Sequence, residues 1–488
     1  MTDDALTNLV AGAEELRSLD WLAQALEPVL VRASWKSQSP SERFRSISTD
    51  SRDAADGIVF AAIKGERFDG HDFVEAAARM HAAAAIVERE IDAPIAQFVV
   101  KDVRSACGLA AKAWRAEHTL KLTAVGGSNG KTTTTQMFAA ILRAQYGADR
   151  TLATEGNLNN DIGVPRMLMK LRSGHCAAVI EAGMNHPGEM ARLADWIRPT
   201  TVLMTNAQRE HQAFLASVEE TARENGLLIA ALPDCGTAVF PADDPCAPIW
   251  ASLALARGVR AVTYATKPPV PGFEPDVTGR LLDDGRLLIE GLGESFAFAL
   301  QIAGEHNAHN AAGAAAAALA QGCSAEAVAA GLSSFAALPG RGERWRSPKG
   351  GLTLIDDAYN ANPDSVLASM KMVAQSGLAS DRLCFILGDM AEVGDDAPAR
   401  HAEVGAAAKA LGIGALWCAG PLSAHAAEAF GTGAKSFASR EALIEALPAL
   451  LAPFLTQAPS LVAVKASRSM GLERVAAAVK ALASGSAA

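Results

Sequence analysis

The sequence predicts an α/β protein with three domains, and three observations lead to this prediction. The chain has 488 residues, which is enough for three domains at roughly 150 residues each. Short apolar runs alternate with helical patterns along most of the chain, as in parallel sheets that are covered by helices on both faces. The pattern changes near residue 118, just before a glycine-rich loop, and again at the breaker LPGRGER (338–344). We therefore expect domains at residues 1–118, 119–338 and 339–488.

The composition is that of a globular protein. Half of the residues are hydrophobic, a fifth are charged, and the formal net charge is −10 without a basic stripe. The first residues, MTDDALTNLV, have no apolar core, so no signal peptide is predicted. The seven cysteines form no CxxC pair, which favours free thiols in a reducing compartment. We predict a cytoplasmic protein without a nucleic-acid partner and without stable membrane insertion.

The first domain contains short apolar runs between turns. GIVFAAIKG (57–65) and AAAAIVE (82–88) have the character of strands, and a helical pattern separates them. The region before residue 118 is therefore predicted to be a small α/β unit.

The central region opens with LKLTAVGG (120–127), an apolar run that ends in two glycines. KTTTTQMFAAILRAQY (131–146) follows with apolar residues at helical spacing, so the predicted order is strand, glycine loop and helix. Further strands are predicted at CAAVIEAG (176–183) and TVLMTNA (201–207). Together these segments predict a parallel sheet that is covered by helices on both faces.

The second half of the central region has a different pattern. LLDDGRLLIEG (281–291) predicts a hairpin around its Asp-Gly turn. The alanine-rich stretch at 307–325 carries polar residues that interrupt it, so a buried helix is favoured over a membrane span.

After residue 338 the alternation of strands and helices resumes. This region reads as a second, Rossmann-like α/β unit. Its strands are predicted at LTLIDD (352–357), RLCFILGD (382–389), GALWCAG (414–420) and SLVAVKAS (460–467).

The strongest chemical signal is the run G-G-S-N-G-K-T-T. Glycines let backbone N–H groups point at phosphate oxygens, and the helix that starts there adds its positive dipole end. Lys131 can reach the terminal phosphates, and the hydroxyl of Thr132 can bind Mg²⁺. Val125 occupies the position where the strict pattern has its first glycine. The residues predicted to bind the nucleotide here are Gly126, Gly127, Ser128, Asn129, Gly130, Lys131, Thr132 and Thr133.

Two residues near the ends of neighbouring strands are candidate metal ligands. Glu181 follows the apolar run AAVI, where a phosphate-binding loop needs a carboxylate for its metal ion. His211 lies just past the strand at 201–207. Each has a structural alternative, because strand ends often carry a surface carboxylate and a single histidine usually has a structural role. With Thr132, these two residues complete the predicted metal site.

Asparagine-rich clusters occur where loops leave the predicted strands. They lie at 155–165, 304–312 and 356–365. An Asn side chain donates and accepts hydrogen bonds without charge, which suits ligand amides, adenine edges and hydroxyls. Turn and helix-cap chemistry explains a single cluster equally well. Three clusters in one chain favour a composite site.

In their joint order, these motifs resemble the Mur ligase family, whose ATP-dependent enzymes add amino acids to the UDP-linked precursor of the bacterial cell wall. The resemblance covers nearly the whole chain. The matching motifs are G-S-N-G-K-T-T, E-G-N-L-N-N-x-x-G-x-P, E-A-G-M-x-x-x-G-E, N-A-x-x-x-H, H-N-A-x-N-A, L-P-G-R, D-D-A-Y-N-A-N-P and L-G-D-M-A-E-V-G.

Within the family, one member is most similar. Y-N-A-N-P, G-D-M-A-E-V-G, V-K-A-S-R-S and the N-terminal T-D-S-R resemble the enzyme that joins D-alanyl-D-alanine to UDP-N-acetylmuramoyl-tripeptide. The D-N-P-R signature of the relative that adds a diamino acid is absent. The resemblance implies an N-terminal domain for the UDP-linked substrate, a central ATP-binding domain and a C-terminal Rossmann-like ligase domain. It also implies an acyl phosphate intermediate and release of ADP and phosphate in peptidoglycan precursor synthesis.

The resemblance also assigns roles to individual residues, with ATP and Mg²⁺ as cofactors and a monomer as the expected state. Lys131, Glu181, His211 and Arg341 are the expected catalytic residues, with Thr132, Glu181 and His211 at the metal. Beyond the glycine loop, the ATP ligands are Asn310 at adenine, Asp357 at ribose and Arg341 at the phosphates. The expected substrate ligands are Ser51 and Arg52 for the uridine diphosphate, Asn157 and Asn159 for the sugar and peptide, and Asn360, Asn362, Lys465 and Arg468 for the dipeptide.

One position departs from the family pattern. Many members carry a lysine in the helix after N-A-x-x-x-H, and its carbamate helps to hold a second metal ion. The corresponding segment here, at 218–228, contains no lysine, and Asn225 takes the equivalent place. Asn cannot form a carbamate. We expect a second metal site that is weaker or organised differently, with Glu220 or Glu224 as compensating carboxylates.

Two other functions remain open from the sequence. Another Mur ligase, or a ligase of the folylpolyglutamate synthase type, would share the phosphate loop and the reaction class. A non-enzymatic nucleotide switch would share only the loop, and the N-K-x-D signature of a guanine-specific switch is absent.

Overall fold

The computed structural model confirms the α/β prediction. The chain forms sheets of five, nine and six strands in chain order, with one additional two-stranded pair. The described residues are 15–36, 38–65, 67–210, 214–391, 393–394, 396–456 and 459–485.

The five-stranded sheet lies in the N-terminal part of the chain. Its order is Leu30–Ser34, Gln97–Val100, Ala84–Val87, Ile58–Ala61 and Ser46–Ser48, with the first pair antiparallel and the others parallel. The strands predicted at 57–65 and 82–88 are confirmed, although each is shorter than its apolar run. The other elements are strands Arg17–Ser18 and Arg43–Phe44 and helices Leu19–Leu26, Val74–Arg79 and Val103–Ala116.

In the nine-stranded sheet, the strand Lys121–Gly126 is the third strand from one edge. This strand pairs in parallel with Ala177–Glu181 on one side and with Thr201–Met204 on the other. The carboxyl ends of three adjacent parallel strands therefore meet at one edge, which is where ligands bind in open α/β sheets. The remaining strands are Thr151–Ala153, Thr237–Pro241, Arg260–Ala265, Val277–Leu281, Arg286–Gly291 and Glu294–Ala299.

The last strands of this sheet contain the predicted hairpin. Val277–Leu281 pairs antiparallel with Arg286–Gly291, and Gly285 in the turn has a φ of 82°. An L-residue with a side chain rarely adopts that angle, so the glycine of the Asp-Gly pair is required there.

Helices cover both faces of the nine-stranded sheet. Lys131–Tyr146 packs on one face against Glu305–Ala320 and Ala325–Ser334, and the alanine-rich helix is buried as predicted. Within the described residues, no helix combines the length and the apolar character needed to cross a membrane. The other helices of this region are Gly163–Leu168, Glu189–Ile197, Val218–Asn225, Leu227–Ala230 and Ala247–Arg257.

The six-stranded sheet forms the C-terminal part. Its order is Glu343–Arg346, Leu352–Asp357, Ser460–Lys465, Leu383–Gly388, Ala415–Ala419 and Ala434–Phe437, with only the first strand antiparallel. The four predicted strands are confirmed, and the two edge strands were not predicted. The helices are Pro363–Ala374, Ala397–Ala410, Ser423–Phe430, Arg440–Thr456 and Glu473–Ser484. The seven cysteines are all free, as expected.

Candidate active site

The glycine loop connects the strand Lys121–Gly126 to the helix Lys131–Tyr146. Gly127 and Gly130 have φ angles of 117° and 78°, which an L side chain rarely adopts. A Cβ atom on Gly127 would also collide with the hydroxyl of Thr205. The helix begins at the loop with no side-chain cap. Its N-terminal end is therefore available to an anionic ligand.

Lys131 folds back over this loop. Its Nζ donates to the carbonyl oxygens of Gly127 and Ser128 at 2.7 and 2.9 Å. It also lies 2.6 Å from Oε1 of Glu210, and both side chains are only 12% exposed. A phosphate that takes the lysine must therefore compete with the Glu210 carboxylate.

The segment that follows the strand Thr201–Met204 supports the loop from the side. The backbone N–H of Ser128 donates to the carbonyl oxygen of Asn206 at 2.9 Å. The backbone N–H of Asn129 donates to Oδ1 of Asn206, also at 2.9 Å. The side chain of Gln208 accepts from Nδ2 of Asn129 at 2.6 Å. Sequence reasoning missed Asn206, Gln208 and Glu210, although all three lie inside or beside the N-A-x-x-x-H motif that drew attention to His211.

Glu181 ends the neighbouring strand and is only 1% exposed. Its Oε1 accepts from Nδ2 of Asn159 at 2.7 Å, while its Oε2 is buried without a hydrogen-bond partner. A buried carboxylate oxygen without a partner is costly unless a cation binds it. Thr132, the other expected ligand, is also buried.

These two oxygen donors suit a hard cation such as Mg²⁺. His211 lies outside the described residues. Within the part of the chain that the structure describes, no group of three or more His, Cys, Asp or Glu residues could hold a metal ion. Mg²⁺ that binds together with substrate phosphates usually has only one or two carboxylate ligands from the protein.

Asn225 is not part of the cleft lining. Its Oδ1 accepts from the backbone N–H of Gly127 at 3.0 Å, and its Nδ2 donates to the carbonyl of Thr221 at 3.1 Å. The side chain is 2% exposed and fixes the start of the glycine loop. Glu220 and Glu224, the carboxylates expected to compensate, are not part of the cleft lining either. They accept hydrogen bonds from the backbone N–H groups of Ala216 and Gly188, at 2.8 and 2.7 Å.

The C-terminal sheet presents a second set of predicted residues to the same cleft. Lys465 is buried, and its Nζ lies 2.8 Å from Oδ2 of Asp357 and 3.0 Å from the carbonyl of Asn360. The guanidinium carbons of Arg341 and Arg468 lie 3.9 and 5.2 Å from the ring centroid of one tyrosine, Tyr359. Two cations on one aromatic ring form a positive wall opposite the glycine loop.

Asn362 directly joins the two halves of the site. It is the N-cap of the helix Pro363–Ala374, where its side chain accepts from the N–H of Ser365. Its Nδ2 also donates to Oδ1 of Asn129 in the glycine loop at 2.9 Å. Asn362 was predicted to bind substrate, and this stays a prediction. The structure shows that Asn362 caps the helix and bridges to the glycine loop.

A single cleft of about 1430 Å³ brings most of the predicted residues together. Asn310 is among them and packs against Gly130. The predicted residues that line the cleft are Ser128, Asn129, Gly130, Lys131, Thr132, Thr133, Asn157, Asn159, Glu181, Asn310, Arg341, Asp357, Asn360, Asn362, Lys465 and Arg468.

Ser51 and Arg52 are not part of this cleft lining. They lie in a short 3₁₀ helix of the N-terminal domain, and the Arg52 side chain is 87% exposed. Hydrogen bonds from Arg52 lower the pKa of Asp50 to about 2. The structure therefore separates the residues predicted for the uridine diphosphate from those predicted for ATP.

Known protein families match three regions of the chain. They are the Mur ligase family catalytic domain at residues 43–115, the Mur ligase middle domain at 125–318, and the Mur ligase glutamate ligase domain at 340–468. Each model therefore falls on one of the three main sheets.

Characterised relatives and solved structures agree with these matches. The chain is 36% identical to UDP-N-acetylmuramoyl-tripeptide–D-alanyl-D-alanine ligase of Escherichia coli over 89% of this chain and 93% of the relative. It is 33% identical to the Bacillus subtilis enzyme of the same name, over 78% and 81%. A crystal structure of MurF from Acinetobacter baumannii matches with a TM-score of 0.85 at 32% identity, covering 96% and 99%. MurF from Thermotoga maritima in complex with ADP has the same fold, with a TM-score of 0.76 at 22% identity, covering 90% and 98%.

Proposed function

The chain belongs to the Mur ligase family, and from that premise we propose that it joins D-alanyl-D-alanine to UDP-N-acetylmuramoyl-tripeptide at the expense of ATP. The observation that carries the proposal is the cleft between the central and C-terminal sheets. One wall is a glycine loop with a lysine, and the other carries Lys465, Arg341 and Arg468. Such a cleft suits a reaction in which a phosphoryl group and two anionic substrates meet.

The glycine loop and Lys131 are assigned to the phosphates of ATP. Backbone N–H groups at the helix end and the lysine ammonium neutralise charge on the transferred phosphoryl group. Arg341 lies on the opposite wall and is assigned to the same phosphates, with Asn310 at adenine and Asp357 at ribose. These roles follow the family resemblance.

Mg²⁺ is proposed as the metal cofactor, with Thr132 and Glu181 as its protein ligands. The unpartnered Oε2 of Glu181 supports this role. Asn159 holds the other oxygen of Glu181 and so orients the carboxylate. When bound, the ion neutralises phosphate charge. His211 stays a proposed ligand outside the described residues.

The chemistry proceeds in two balanced steps. A carboxylate oxygen of the tripeptide substrate attacks the γ-phosphorus of ATP, which forms an acyl phosphate and releases ADP. The amine of D-alanyl-D-alanine then attacks the acyl carbon and loses a proton, and inorganic phosphate leaves with the bonding electrons. Activation is needed because the oxygen of a free carboxylate is a poor leaving group. The chain supplies positioning and charge neutralisation.

The remaining substrate contacts are also proposals. Lys465, Arg468 and Asn360 are assigned to the dipeptide, whose carboxylate suits the positive wall, and Asn362 is assigned there in its capping position. Asn157 and Asn159 are assigned to the sugar and peptide. The diphosphate is assigned to Ser51 and Arg52 in the N-terminal domain. We further propose domain boundaries near residues 118 and 338, a cytoplasmic location and a monomeric state.

A ligation assay tests the function. Purified protein is incubated with ATP, MgCl₂, UDP-N-acetylmuramoyl-tripeptide and D-alanyl-D-alanine, and mass spectrometry follows the product while a coupled assay follows phosphate. We expect a pentapeptide product that appears only with all components. Folate with glutamate serves as the alternative substrate pair. Product from that pair alone, or ATP binding without product from any pair, would contradict the proposal.

A further inference from the structure

Arg209 links the central domain to the C-terminal domain. Its Nη2 lies 2.6 Å from Oδ1 of Asp364, and its Nη1 lies 2.9 Å from Oε2 of Glu403. The backbone N–H of Arg209 also donates to Oδ2 of Asp364 at 2.9 Å. One residue therefore holds two carboxylates of the other domain, through both arms of its guanidinium and through its own backbone.

This contact is partly shielded from water. The side chains of Arg209, Asp364 and Glu403 are 19%, 23% and 35% exposed. Arg400 reaches Glu403 at 3.0 Å, so two arginines face two carboxylates. Hydrogen bonds from Arg209 and Arg400 lower the pKa of Glu403 below its ordinary value, because they stabilise the charged carboxylate. A bidentate, half-buried network of this kind holds its geometry better than an isolated surface pair.

On the C-terminal side, the contact falls at the end of the helix that meets the glycine loop. Asp364 lies in the first turn of the helix Pro363–Ala374. The N-cap of that helix, Asn362, donates to Asn129 of the loop at 2.9 Å. The N-terminal end of this helix is therefore attached to the central domain through two residues, Asn362 and Asp364.

On the central side, Arg209 lies between residues that hold the same loop. Gln208 accepts from Asn129, and Glu210 lies 2.6 Å from Nζ of Lys131. A displacement of Arg209 would therefore move the residues that position the phosphate-binding lysine.

We propose that Arg209 is a positioning residue that fixes the C-terminal domain over the glycine loop and so aligns the two walls of the cleft for phosphoryl transfer. Its loss has two consequences. The walls are no longer held in register, and the carboxylates of Asp364 and Glu403 lose a counter-charge beside a site that must accept a polyphosphate. Both consequences affect ATP and catalysis. The tripeptide substrate is assigned to the N-terminal and central domains and to no group that Arg209 holds, so it should bind as before.

The test compares Arg209→Ala and Arg209→Lys with a matched control. Arg257→Ala removes another arginine of an ion pair, the one with Asp234 at 2.8 Å, outside the cleft lining. For each protein, kcat and the KM values for ATP and for the tripeptide substrate are measured. Small-angle X-ray scattering reports the radius of gyration with and without ADP. The inference uses the proposed function only for the choice of ligation substrates.

We expect Arg209→Ala to lower kcat about tenfold or more and to raise the KM for ATP severalfold, with the KM for tripeptide within twofold. The kcat and the KM for ATP of Arg209→Lys should lie between those of the wild type and Arg209→Ala, because an ammonium group cannot hold two carboxylates in the bidentate geometry of a guanidinium. Arg257→Ala should match the wild type. Without ADP, the radius of gyration should be larger for Arg209→Ala than for the wild type. ADP should reduce it less in the variant than in the wild type.

A charge-relief variant keeps the test decisive if Arg209→Ala folds poorly. Glu403→Gln removes one carboxylate and leaves Arg209 in place, and combined with Arg209→Ala it should recover part of the ATP affinity. The proposal would be overturned if Arg209→Ala had the same kcat, the same KM for ATP and the same scattering as the wild type. Equal losses for the tripeptide and for ATP would also overturn it, because they indicate a general structural defect. A wild type that fails to ligate refutes the proposed function, while scattering and ADP titration still decide the role of Arg209.

Discussion

Replacing Glu181 with Gln should separate stability from activity. In the wild type, a carboxylate that is 1% exposed has one oxygen without a partner. Glu181→Gln preserves the shape and the hydrogen bond accepted from Asn159, and it removes the buried charge. A buried polar group with an unmet hydrogen bond costs about 1–3 kcal/mol, and more when it is charged. The neutral amide still leaves one group unpaired, so we expect a gain of about 1 kcal/mol in metal-free buffer.

The same change should nearly abolish turnover. The variant lacks the carboxylate that is proposed to hold Mg²⁺ beside the phosphates. Removing one electrostatic contact at a reacting centre typically costs about 10²–10³-fold in rate. We therefore expect a variant that is slightly more stable without metal and at least about 100-fold slower with it.

Calorimetry and phosphate release measure the two effects. In EDTA, the transition of the central domain should rise by about 2–4 °C for a gain of 1 kcal/mol. With MgCl₂ and ADP, the wild type should be stabilised and the variant much less so. The control is Glu155→Gln, which removes a carboxylate that is 60% exposed and pairs with Lys170. A Glu181→Gln protein that melts lower in EDTA, or that turns over at the wild-type rate, would refute the reasoning.

Four further predictions concern the glycine loop, the second metal site and the opposite wall. Lys131→Ala should abolish phosphate release and keep a folded circular dichroism spectrum, with a lower melting temperature because Glu210 loses the ion pair with Lys131. Turnover at the wild-type rate would contradict the ATP assignment. Asn225→Ala should destabilise the central domain by about 1–3 kcal/mol in denaturant titrations, because the backbone N–H of Gly127 loses its acceptor. The activity of the wild type should not depend on added bicarbonate. If bicarbonate restored the activity of CO₂-depleted enzyme, the absence of a carbamate would be contradicted. Lys465→Met should cost about 3–5 kcal/mol and prevent ligation, because it leaves Asp357 without its partner. A melt and a rate like those of the wild type would contradict this.

The sequence was sufficient for features that depend on neighbours in the chain. The order of strand, glycine loop and helix around residues 120–146 was predicted correctly because apolar spacing and glycine angles are local properties. The hairpin at 281–291 followed in the same way from its Asp-Gly turn. Membership of the Mur ligase family, predicted from the order of short motifs, is confirmed by three family models.

Asn225 shows where the reasoning from one sequence stopped. Alignment by motif gave it the place of a metal-site lysine and left its actual partners open. In the structure, both ends of its amide are hydrogen-bonded within the central domain, and one of them fixes Gly127. A hydrogen bond between residues 98 positions apart leaves no periodic signal in the sequence.

The sequence by itself determined the fold class and the family, and most of the site residues that it predicted do line the cleft, because these features depend on local patterns and on short motifs. Only the tertiary structure decided which of those residues meet. Arg209 and Asp364 are 155 positions apart, and Asn129 and Asn362 are 233 apart, yet both pairs are in contact. Such contacts arise when two separately folded sheets dock, and the docking geometry depends on whole surfaces. Side chains that are unremarkable in the sequence, such as Arg209 and Glu210, acquire their roles only in that arrangement.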